Sequence, residues 1–471
     1  MPARRRPPNI VYILADDLGY GDVSCQNDDD RVPTPHVDRL AAQGMRFTDA
    51  HSGSAVCTPT RYGMLTGRYC WRSRLTQGVL FGYDEPLIEP GRLTVPELLR
   101  RHGYATAAIG KWHLGLAFSR RPDGAGRLED VDFSAPISWG PNQAGFDYFF
   151  GISASLDMPP YCFIENNRVV ERPVERVDGS PRPAFHRAGP IAPGFTFEGV
   201  MPRLTQAALA YVEQRRRSPD QPFFLYFATT SPHTPHVPNR AFQGQSRAGI
   251  YGDFVVEWDA AVGAVLDALD RDGLAEQTLV IVTSDNGADL HGGQPEHGHD
   301  SNGPWRGQKA DIWDGGHRIP FIVRWPGVVP EGATCEQPIC LTDLLATCAD
   351  LLGADVPDGA APDSASILPA LRGERLGRDD PPLREAIVHH SMDGMFALRR
   401  GPWKCIFGLG SGGFTAPRRV EPAPDEPPGQ LYHLHDDPAE TTNLWLERPD
   451  VVGDLAALLD RYRRQGHSRP G

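Results

Sequence analysis

Short continuous runs of apolar residues constrain the fold of this chain more than any other feature of its sequence. Four such runs, rich in β-branched and aromatic residues, cover residues 9–14, 105–109, 222–228 and 279–283. Runs of this length without polar alternation are typical of strands buried on both faces, as in a parallel sheet. They are separated by helical patterns at residues 37–43, 96–102, 205–214 and 254–271. The sequence therefore predicts an α/β fold in which helices cover both faces of a large, mostly parallel sheet.

The pattern changes in the C-terminal quarter of the chain. A strand at residues 321–325 and a helix at 341–352 are expected to complete the large unit, and a stretch rich in Pro, Gly and Asp follows at 357–382, which is typical of a linker. Beyond it, a helical pattern at 451–463 follows short strand patterns at residues 386–390, 395–399, 403–407 and 431–435. We predict a large domain over residues 1–372, a linker over 373–383, and a small α+β subdomain with an antiparallel sheet over 384–471.

Charge and hydropathy exclude several classes of protein. The 471 residues include 47 Lys and Arg against 60 Asp and Glu, a formal net charge of −13. This balance argues against nucleic-acid binding, which needs a basic surface. No run approaches the roughly 20 apolar residues of a membrane span. The first apolar run is too short for an export signal and ends in Asp16 and Asp17, so we expect a cytoplasmic protein, or a secreted or periplasmic one if a signal has been removed.

Polar clusters follow four of the predicted strands. In open α/β sheets, ligands bind beyond the carboxyl ends of the strands. The clusters are Asp16–Asp17 and residues 110–113, 231–233 and 285–287. Any one of them alone is typical of an ordinary turn. Four clusters at equivalent strand ends predict one shared site at the edge of the sheet.

The side chains in these clusters indicate the chemistry of the site. Asp16, Asp17, Asp285 and Asn286 offer only oxygen ligands, which suit a hard cation such as Ca²⁺ or Mg²⁺. Lys111, His113 and His233 add cationic or proton-donating groups that suit an oxyanion bound to that cation. This combination is typical of sites that cleave sulfate or phosphate esters.

The segment C-T-P-T-R at residues 57–61 supplies a candidate nucleophile. Pro59 suits the first turn of a helix and would place Cys57 at the helix N-terminus. There the helix dipole and free N–H groups favour anions and would lower the pKa of a thiol. On composition alone, a buried structural cysteine is the favoured interpretation of Cys57.

The motif in this segment, C-x-P-x-R followed by L-T-G-R at residues 65–68, resembles the signature of the type I sulfatases of the alkaline phosphatase superfamily. In that family the cysteine is oxidised after translation to Cα-formylglycine. Further motifs resemble the family in order: G-K-W-H-L-G at 110–115, R-G-Q-K at 306–309, W-D-G-G-H-R at 313–318 and the tail at 431–444. Asp314 stands where Glu is commoner. The resemblance covers nearly the whole chain.

This resemblance implies an alkaline-phosphatase-like α/β/α sandwich as the catalytic domain, with a small C-terminal α+β subdomain. It also implies a Ca²⁺ ion, with Mg²⁺ as the alternative. The implied ligands are Asp16, Asp17, Asp285, Asn286 and the modified Cys57.

The resemblance further implies a mechanism. One hydroxyl of hydrated formylglycine attacks sulfur and displaces the alcohol, and the other then expels sulfate. Asp285 would accept the nucleophile's proton. The other implied roles are stabilisation of the formylglycine oxygens by Arg61, sulfate binding by Lys111 and Lys309, protonation of the leaving alcohol by His233 with or without Lys309, and base catalysis by His113.

Substrate recognition is predicted less directly. The stretch at residues 145–161 resembles bacterial sulfatases that act on sulfated sugars, including hexosamine 6-sulfates. In the His-rich loop, His297 and His299 are candidate substrate ligands together with Lys111, His233 and Lys309, while a second metal site and solvated loop histidines are the alternatives.

We therefore expect a sulfatase that hydrolyses sulfate monoesters of a sugar or an aryl alcohol. The alternatives are a phosphonate monoester or phosphodiester hydrolase of the same superfamily, and a non-catalytic binder of sulfated sugars if Cys57 is unmodified. A formylglycine-generating enzyme is the implied partner, and the oligomeric state stays open. Because the net charge is negative, small sulfated substrates are favoured over long polyanions.

Overall fold

A computed structural model describes residues 6–121 and 130–469. The strands are β1 (Asn9–Asp16), β2 (Met45–Phe47), β3 (Ala50–His51), β4 (Ala105–Lys111), β5 (Tyr148–Ile152), β6 (Ile164–Glu165), β7 (Arg168–Val169), β8 (Glu175–Val177), β9 (Gly189–Ile191), β10 (Phe223–Pro232), β11 (Thr278–Ser284), β12 (Phe321–Arg324), β13 (Ala333–Cys335), β14 (Ile339–Cys340), β15 (Ile387–His390), β16 (Phe396–Arg400), β17 (Trp403–Ile406) and β18 (Gln430–His433). The helices are α1 (Pro35–Ala42), α2 (Cys57–Thr66), α3 (Val95–Arg101), α4 (Val200–Arg216), α5 (Gly249–Arg271), α6 (Asp314–His317), α7 (Leu344–Leu352), α8 (Leu368–Leu371) and α9 (Pro449–Gln465).

The four predicted buried strands form the centre of a ten-stranded sheet with the order β13-β2-β12-β11-β1-β10-β4-β5-β6-β7. Strand β1 is parallel to both β10 and β11, and β4 is parallel to β10 and β5. Every residue of β1, β4, β10 and β11 is buried, as their continuous apolar runs predict. The strand predicted at 321–325 is present as β12, but it is antiparallel to both neighbours.

Helices cover both faces of this sheet. Along β1, Ile10, Tyr12 and Leu14 pack on the face covered by α2, α3 and α7. Val11 and Ile13 pack on the opposite face, against α1, α4 and α5. Because side chains alternate between the faces of a strand, one uninterrupted apolar run supplies both cores. The α/β/α sandwich is confirmed.

The C-terminal part forms a separate antiparallel sheet with the order β15-β16-β17-β18. Helix α9 packs on it through Leu455, Leu458, Leu459 and Tyr462. These elements confirm the short strands and the final helix predicted from the sequence. No helix within the described ranges combines the length and the apolar character that a membrane span requires.

The segment at 357–382 differs from the predicted linker in part of its length. Ala361 is buried, and α8 packs into the core of the large domain. The buried Asp363 carboxylate accepts hydrogen bonds from the Arg72 guanidinium and from the backbone N–H of Tyr69. This segment has a composition typical of loops, but one buried ion pair and a short helix fix it to the large domain. The division into domains at residues 372 and 384 stays a prediction.

Candidate active site

The parallel strands bring the four predicted polar clusters to one edge of the sheet. Strand β1 ends at Asp16, β4 ends at Lys111, and β10 and β11 end just before His233 and Asp285. The carboxyl ends of neighbouring parallel strands point the same way, so side chains more than 200 residues apart meet there. All five side chains of this edge, Asp17 included, are buried.

The acidic residues are held together by direct hydrogen bonds. The backbone N–H of Asp17 donates to Oδ1 of Asp285 over 3.2 Å, and Nδ2 of Asn286 donates to Oδ1 of Asp17 over 2.7 Å. Asp17 has a φ of 65°, in the left-handed region that non-glycine residues rarely adopt. Such strain is typical of functional sites, where the surroundings fix an unfavourable backbone conformation.

Cys57 begins helix α2, as the position of Pro59 predicts, and its side chain is buried. Burial raises the pKa of the Cys57 thiol, although Lys111 and Lys309 act in the opposite direction. The position at the helix N-terminus predicts a lowered pKa, whereas the structure indicates a raised one, because desolvation outweighs the attraction of the nearby cations. The unmodified thiol is protonated and a weak nucleophile.

Arg61 lies one helical turn after Cys57, which places both side chains on the same face of α2. Its Nε and Nη2 atoms donate to Oδ2 of Asp285 over 3.0 and 2.7 Å. Its Nη1 atom donates to the Lys111 carbonyl over 3.0 Å. This fully buried guanidinium joins helix α2 to the ends of β4 and β11.

Two buried lysines balance the acidic residues. Nζ of Lys111 lies 2.8 and 2.7 Å from the two carboxylate oxygens of Asp16, and Nζ of Lys309 lies 2.5 Å from Oδ2 of Asp17. Burial alone would raise the pKa of Asp16, but attraction to Lys111, His233 and Arg61 outweighs it, so the pKa is lowered. The Asp16 carboxylate is therefore ionised and lies next to cations in a region of low dielectric.

The two predicted acid–base histidines have distinct hydrogen bonds. Nδ1 of His233 donates to the Thr234 carbonyl over 2.6 Å, and its Nε2 lies 3.6 Å from Oδ2 of Asp17. Nε2 of His113 donates to the Leu80 carbonyl over 2.7 Å. Within the described part of the chain, Nδ1 of His113 has no hydrogen-bond partner. Burial lowers the pKa of His113 well below its usual value, so this ring is neutral with a free lone pair at Nδ1.

The oxygen atoms in the cluster fit a hard divalent cation. Asp16, Asp17, Asp285 and Asn286 are all buried, and Oδ1 of Asn286 lacks a hydrogen-bond partner among the described residues. A buried amide oxygen without a donor is costly unless a cation or water satisfies it. Three carboxylates and one amide oxygen suit Ca²⁺, and Mg²⁺ takes the same ligand types.

Two of the predicted substrate ligands lie outside this cluster. His299 is buried, and its Nε2 and Nδ1 atoms lie 2.8 and 3.1 Å from the carboxylates of Asp22 and Asp29. His297 is exposed, and its ring lies beside Gly249. Neither histidine contributes an atom to the cluster around Cys57. Both ring nitrogens of His299 already pair with carboxylates, so neither is left to bind a substrate.

Three buried histidines that no sequence pattern predicted form a group between the large domain and the C-terminal sheet. Nδ1 of His51 lies 3.1 Å from Nδ1 of His317, and the rings of His317 and His389 stack with centroids 3.7 Å apart. The nearby Arg399 and Lys404 add positive charge, so this group is better explained as packing between the two parts than as a metal site.

Comparison with known proteins identifies the class to which this fold and site belong. A family model described as "Sulfatase" matches residues 8–354. The chain is 35% identical over 497 residues to N-acetylgalactosamine-6-O-sulfatase of Bacteroides thetaiotaomicron, covering 97% of this chain and 93% of that protein. It is also 35% identical over 461 residues to human arylsulfatase A, covering 93% and 83% of the two chains.

Solved structures agree with these relatives. A structure from work on the metabolism of multiple glycosaminoglycans by Bacteroides thetaiotaomicron superposes with a TM-score of 0.84 and 33% identity, covering 98% of this chain and 100% of that one. A sulfatase from a Pseudoalteromonas species shares the fold, with a TM-score of 0.73, 24% identity, and coverage of 99% and 91%. The chain belongs to the sulfatase family. It is a sulfuric ester hydrolase with the alkaline-phosphatase-like fold of that family.

Proposed function

We propose that this sulfatase hydrolyses a small sulfated sugar, such as a hexosamine 6-sulfate, with a nucleophile derived from Cys57 and a bound Ca²⁺ ion. One observation carries the proposal: Cys57 begins α2 inside a buried cluster in which Lys111 and Lys309 each contact a carboxylate of the candidate metal ligands. The protonated thiol in this environment is a poor nucleophile. Formylglycine made from Cys57 would instead add a water molecule and so supply a hydroxyl group that attacks sulfur, and a formylglycine-generating enzyme is the partner needed for maturation.

The side chains around Cys57 have separate roles in the proposed reaction. Lys111 and Lys309 bind the sulfate oxygens, because a buried ammonium group attracts an anion more strongly than an exposed one. His233 protonates the leaving alcohol through Nε2, since its Nδ1 proton is held by the Thr234 carbonyl. His113 accepts a proton at its free Nδ1 atom. Arg61 keeps Asp285 in place and stabilises the oxygens of the nucleophile.

The relatives support the choice of substrate. One is named N-acetylgalactosamine-6-O-sulfatase, and another related protein, from dog, is named N-acetylgalactosamine-6-sulfatase, with 33% identity over 409 residues. The test is sulfate release from a panel of sugar sulfates and aryl sulfates, by enzyme co-expressed with a formylglycine-generating enzyme. We expect the highest kcat/KM for a hexosamine 6-sulfate. A higher kcat/KM for a phosphodiester measured in parallel would contradict the proposal.

The cation should contribute to stability as well as to activity. A bound Ca²⁺ ion would neutralise part of the charge on Asp16, Asp17 and Asp285. Removing Ca²⁺ with EGTA is expected to abolish sulfate release and to lower Tm, because a ligand that binds only the folded state stabilises it. Adding Ca²⁺ back should restore both quantities.

The Asn286→Ala variant tests the site itself. Its loss of one oxygen ligand should raise the Ca²⁺ concentration needed to restore Tm by about tenfold or more. As a matched control, Asn166→Ala, in the β6–β7 turn, should leave this concentration unchanged. An unchanged Ca²⁺ requirement in Asn286→Ala would place the cation elsewhere.

A further inference from the structure

Two exposed aromatic rings lie near the active site. Among the residues that the structure describes, Phe81 and Phe414 are the aromatic side chains left exposed, with 49% and 39% of their surface accessible. Aromatic rings usually bury their surface because contact with water is unfavourable. Exposed rings grouped with polar side chains are typical of ligand-binding surfaces.

Neighbouring residues connect Phe81 to His113, the proposed base, and to His233, the proposed acid. It follows Leu80, whose carbonyl holds His113. The Arg187 guanidinium lies 5.5 Å from the centre of the Phe81 ring and pairs with the Asp157 carboxylate. Oδ1 of Asp157 is 4.0 Å from Nδ1 of His233. Phe81 and Arg187 therefore lie on the side of the site occupied by the two histidines.

Arg182, His291 and Phe414 lie on the side of Lys309. The nearly buried Asp289 carboxylate binds Nη2 of Arg182 over 2.8 Å and Nδ1 of His291 over 2.6 Å. The hydrogen bond that Nδ1 of His291 donates to Asp289 raises the pKa of His291, so the ring retains a donor at Nε2 to higher pH. The His291 ring also contacts the Phe414 ring, with centroids 6.0 Å apart and an angle of 71° between their planes.

The loop that carries Phe414 is fixed to the Lys309 segment. Oδ1 of Asp311 accepts the backbone N–H groups of Phe414 and Thr415 over 2.8 and 3.0 Å. Oδ2 of the same carboxylate accepts the N–H of Gln308, the residue before Lys309, over 3.0 Å. The C-terminal part of the chain thus fixes the loop of an exposed ring to the segment that carries Lys309, a predicted sulfate-binding residue.

We propose that Phe81, Arg187, Arg182, His291 and Phe414 form an outer subsite that binds the sugar ring joined to the sulfated residue. The inference rests on the proposed function, because it assumes a saccharide substrate. Lys309 and His233 are almost fully buried, so the sulfate group and its own ring occupy the inner part of the site. The exposed rings can stack on the apolar face of the next sugar. Arg182 and His291, held by Asp289 on one side, have N–H groups left for its hydroxyl or carboxylate oxygens.

The test compares N-acetylgalactosamine 6-sulfate with a disaccharide in which the same residue is joined to a second sugar. The wild-type enzyme should show a kcat/KM at least about fivefold higher for the disaccharide, since one stacking contact is worth roughly that factor. In Phe414→Ala and His291→Ala, the ratio of the two kcat/KM values should fall toward one. Leu446→Ala, at an exposed apolar position outside this group, is the control and should keep the wild-type ratio.

The outcomes separate the two proposals. Equal turnover of both saccharides by the wild-type enzyme, or equal losses for both in the two variants, would overturn the outer subsite and leave the proposed function standing. No sulfate release from any sugar would contradict the proposed function. In that case, the outer subsite is tested by binding to the inactive Cys57→Ala protein. The disaccharide should bind more tightly than the monosaccharide, and adding Phe414→Ala should bring the ratio of the two Kd values toward one.

Discussion

Cys57→Ala is expected to abolish sulfate release while the protein stays folded. The substitution removes the thiol that is oxidised to the aldehyde, so no nucleophile can be made, and loss of a catalytic nucleophile costs about 10⁴-fold or more in kcat. Cys57 is buried at the first position of α2, where alanine is a good helix former, so the helix should persist. The measurements are sulfate release from the best sugar sulfate of the panel and Tm of both proteins.

A matched control separates the role of Cys57 from that of any buried cysteine. Cys348 is also buried and lies in helix α7, far along the chain from the predicted site. Cys348→Ala should lower stability slightly and leave kcat/KM within about twofold of wild type, since it removes one small apolar group. Residual activity of Cys57→Ala above about 1% of wild type would exclude the proposed nucleophile. Mass spectrometry of the Cys57 peptide reports whether the thiol has been converted to the aldehyde.

Lys404→Met, in the C-terminal sheet, is expected to cause a large loss of stability. Nζ of Lys404, in β17, lies 2.8 Å from Oδ1 of Asp314 and 2.9 Å from Oε1 of Glu440, and all three side chains are fully buried. Methionine fills a similar volume, but it leaves the buried Glu440 carboxylate without its cation and leaves Asp314 paired with Arg318 alone. Breaking a buried ion pair on one side costs about 3–5 kcal/mol. The free energy of unfolding from urea titration measures this loss.

An exposed ion pair of the same subdomain provides the comparison. Arg448 pairs with Asp450 at the surface, where such pairs contribute little to stability. Arg448→Met should change the free energy of unfolding by less than about 0.5 kcal/mol. If Lys404→Met loses no more than Arg448→Met, the buried network does not stabilise the contact between the large domain and the C-terminal sheet.

Much of the fold is predictable from residue patterns. The uninterrupted apolar runs that became β1, β4, β10 and β11 indicate strands buried on both faces, because only such strands need no polar side chains. The direction of β12 is not predictable in this way. Its apolar run is the same in a parallel and an antiparallel strand, and the direction depends on the path of the chain between β11 and β12.

The site is predictable in kind but not in its contacts. Family motifs and strand ends locate Cys57, Arg61 and the candidate metal ligands, since each lies in a short, recognisable stretch. Asp289 lies only three residues after Asn286, so its position near the same strand end is predictable as well. The positions of Arg182 and Phe414 are not, because these residues reach the site from loops more than 100 residues away from Asp289 and carry no local pattern.

The order of residues along the chain is enough to establish which segments are buried strands and which chemical groups follow them, because periodicity and strand-end position are local properties. It is not enough to establish the protonation state of Cys57 or the partners of His299. Both depend on desolvation and on charges contributed by distant segments, such as Lys111 and Lys309 near the thiol and Asp22 and Asp29 at the imidazole. Desolvation and these charge interactions arise only when the packed chain excludes water and brings the segments together.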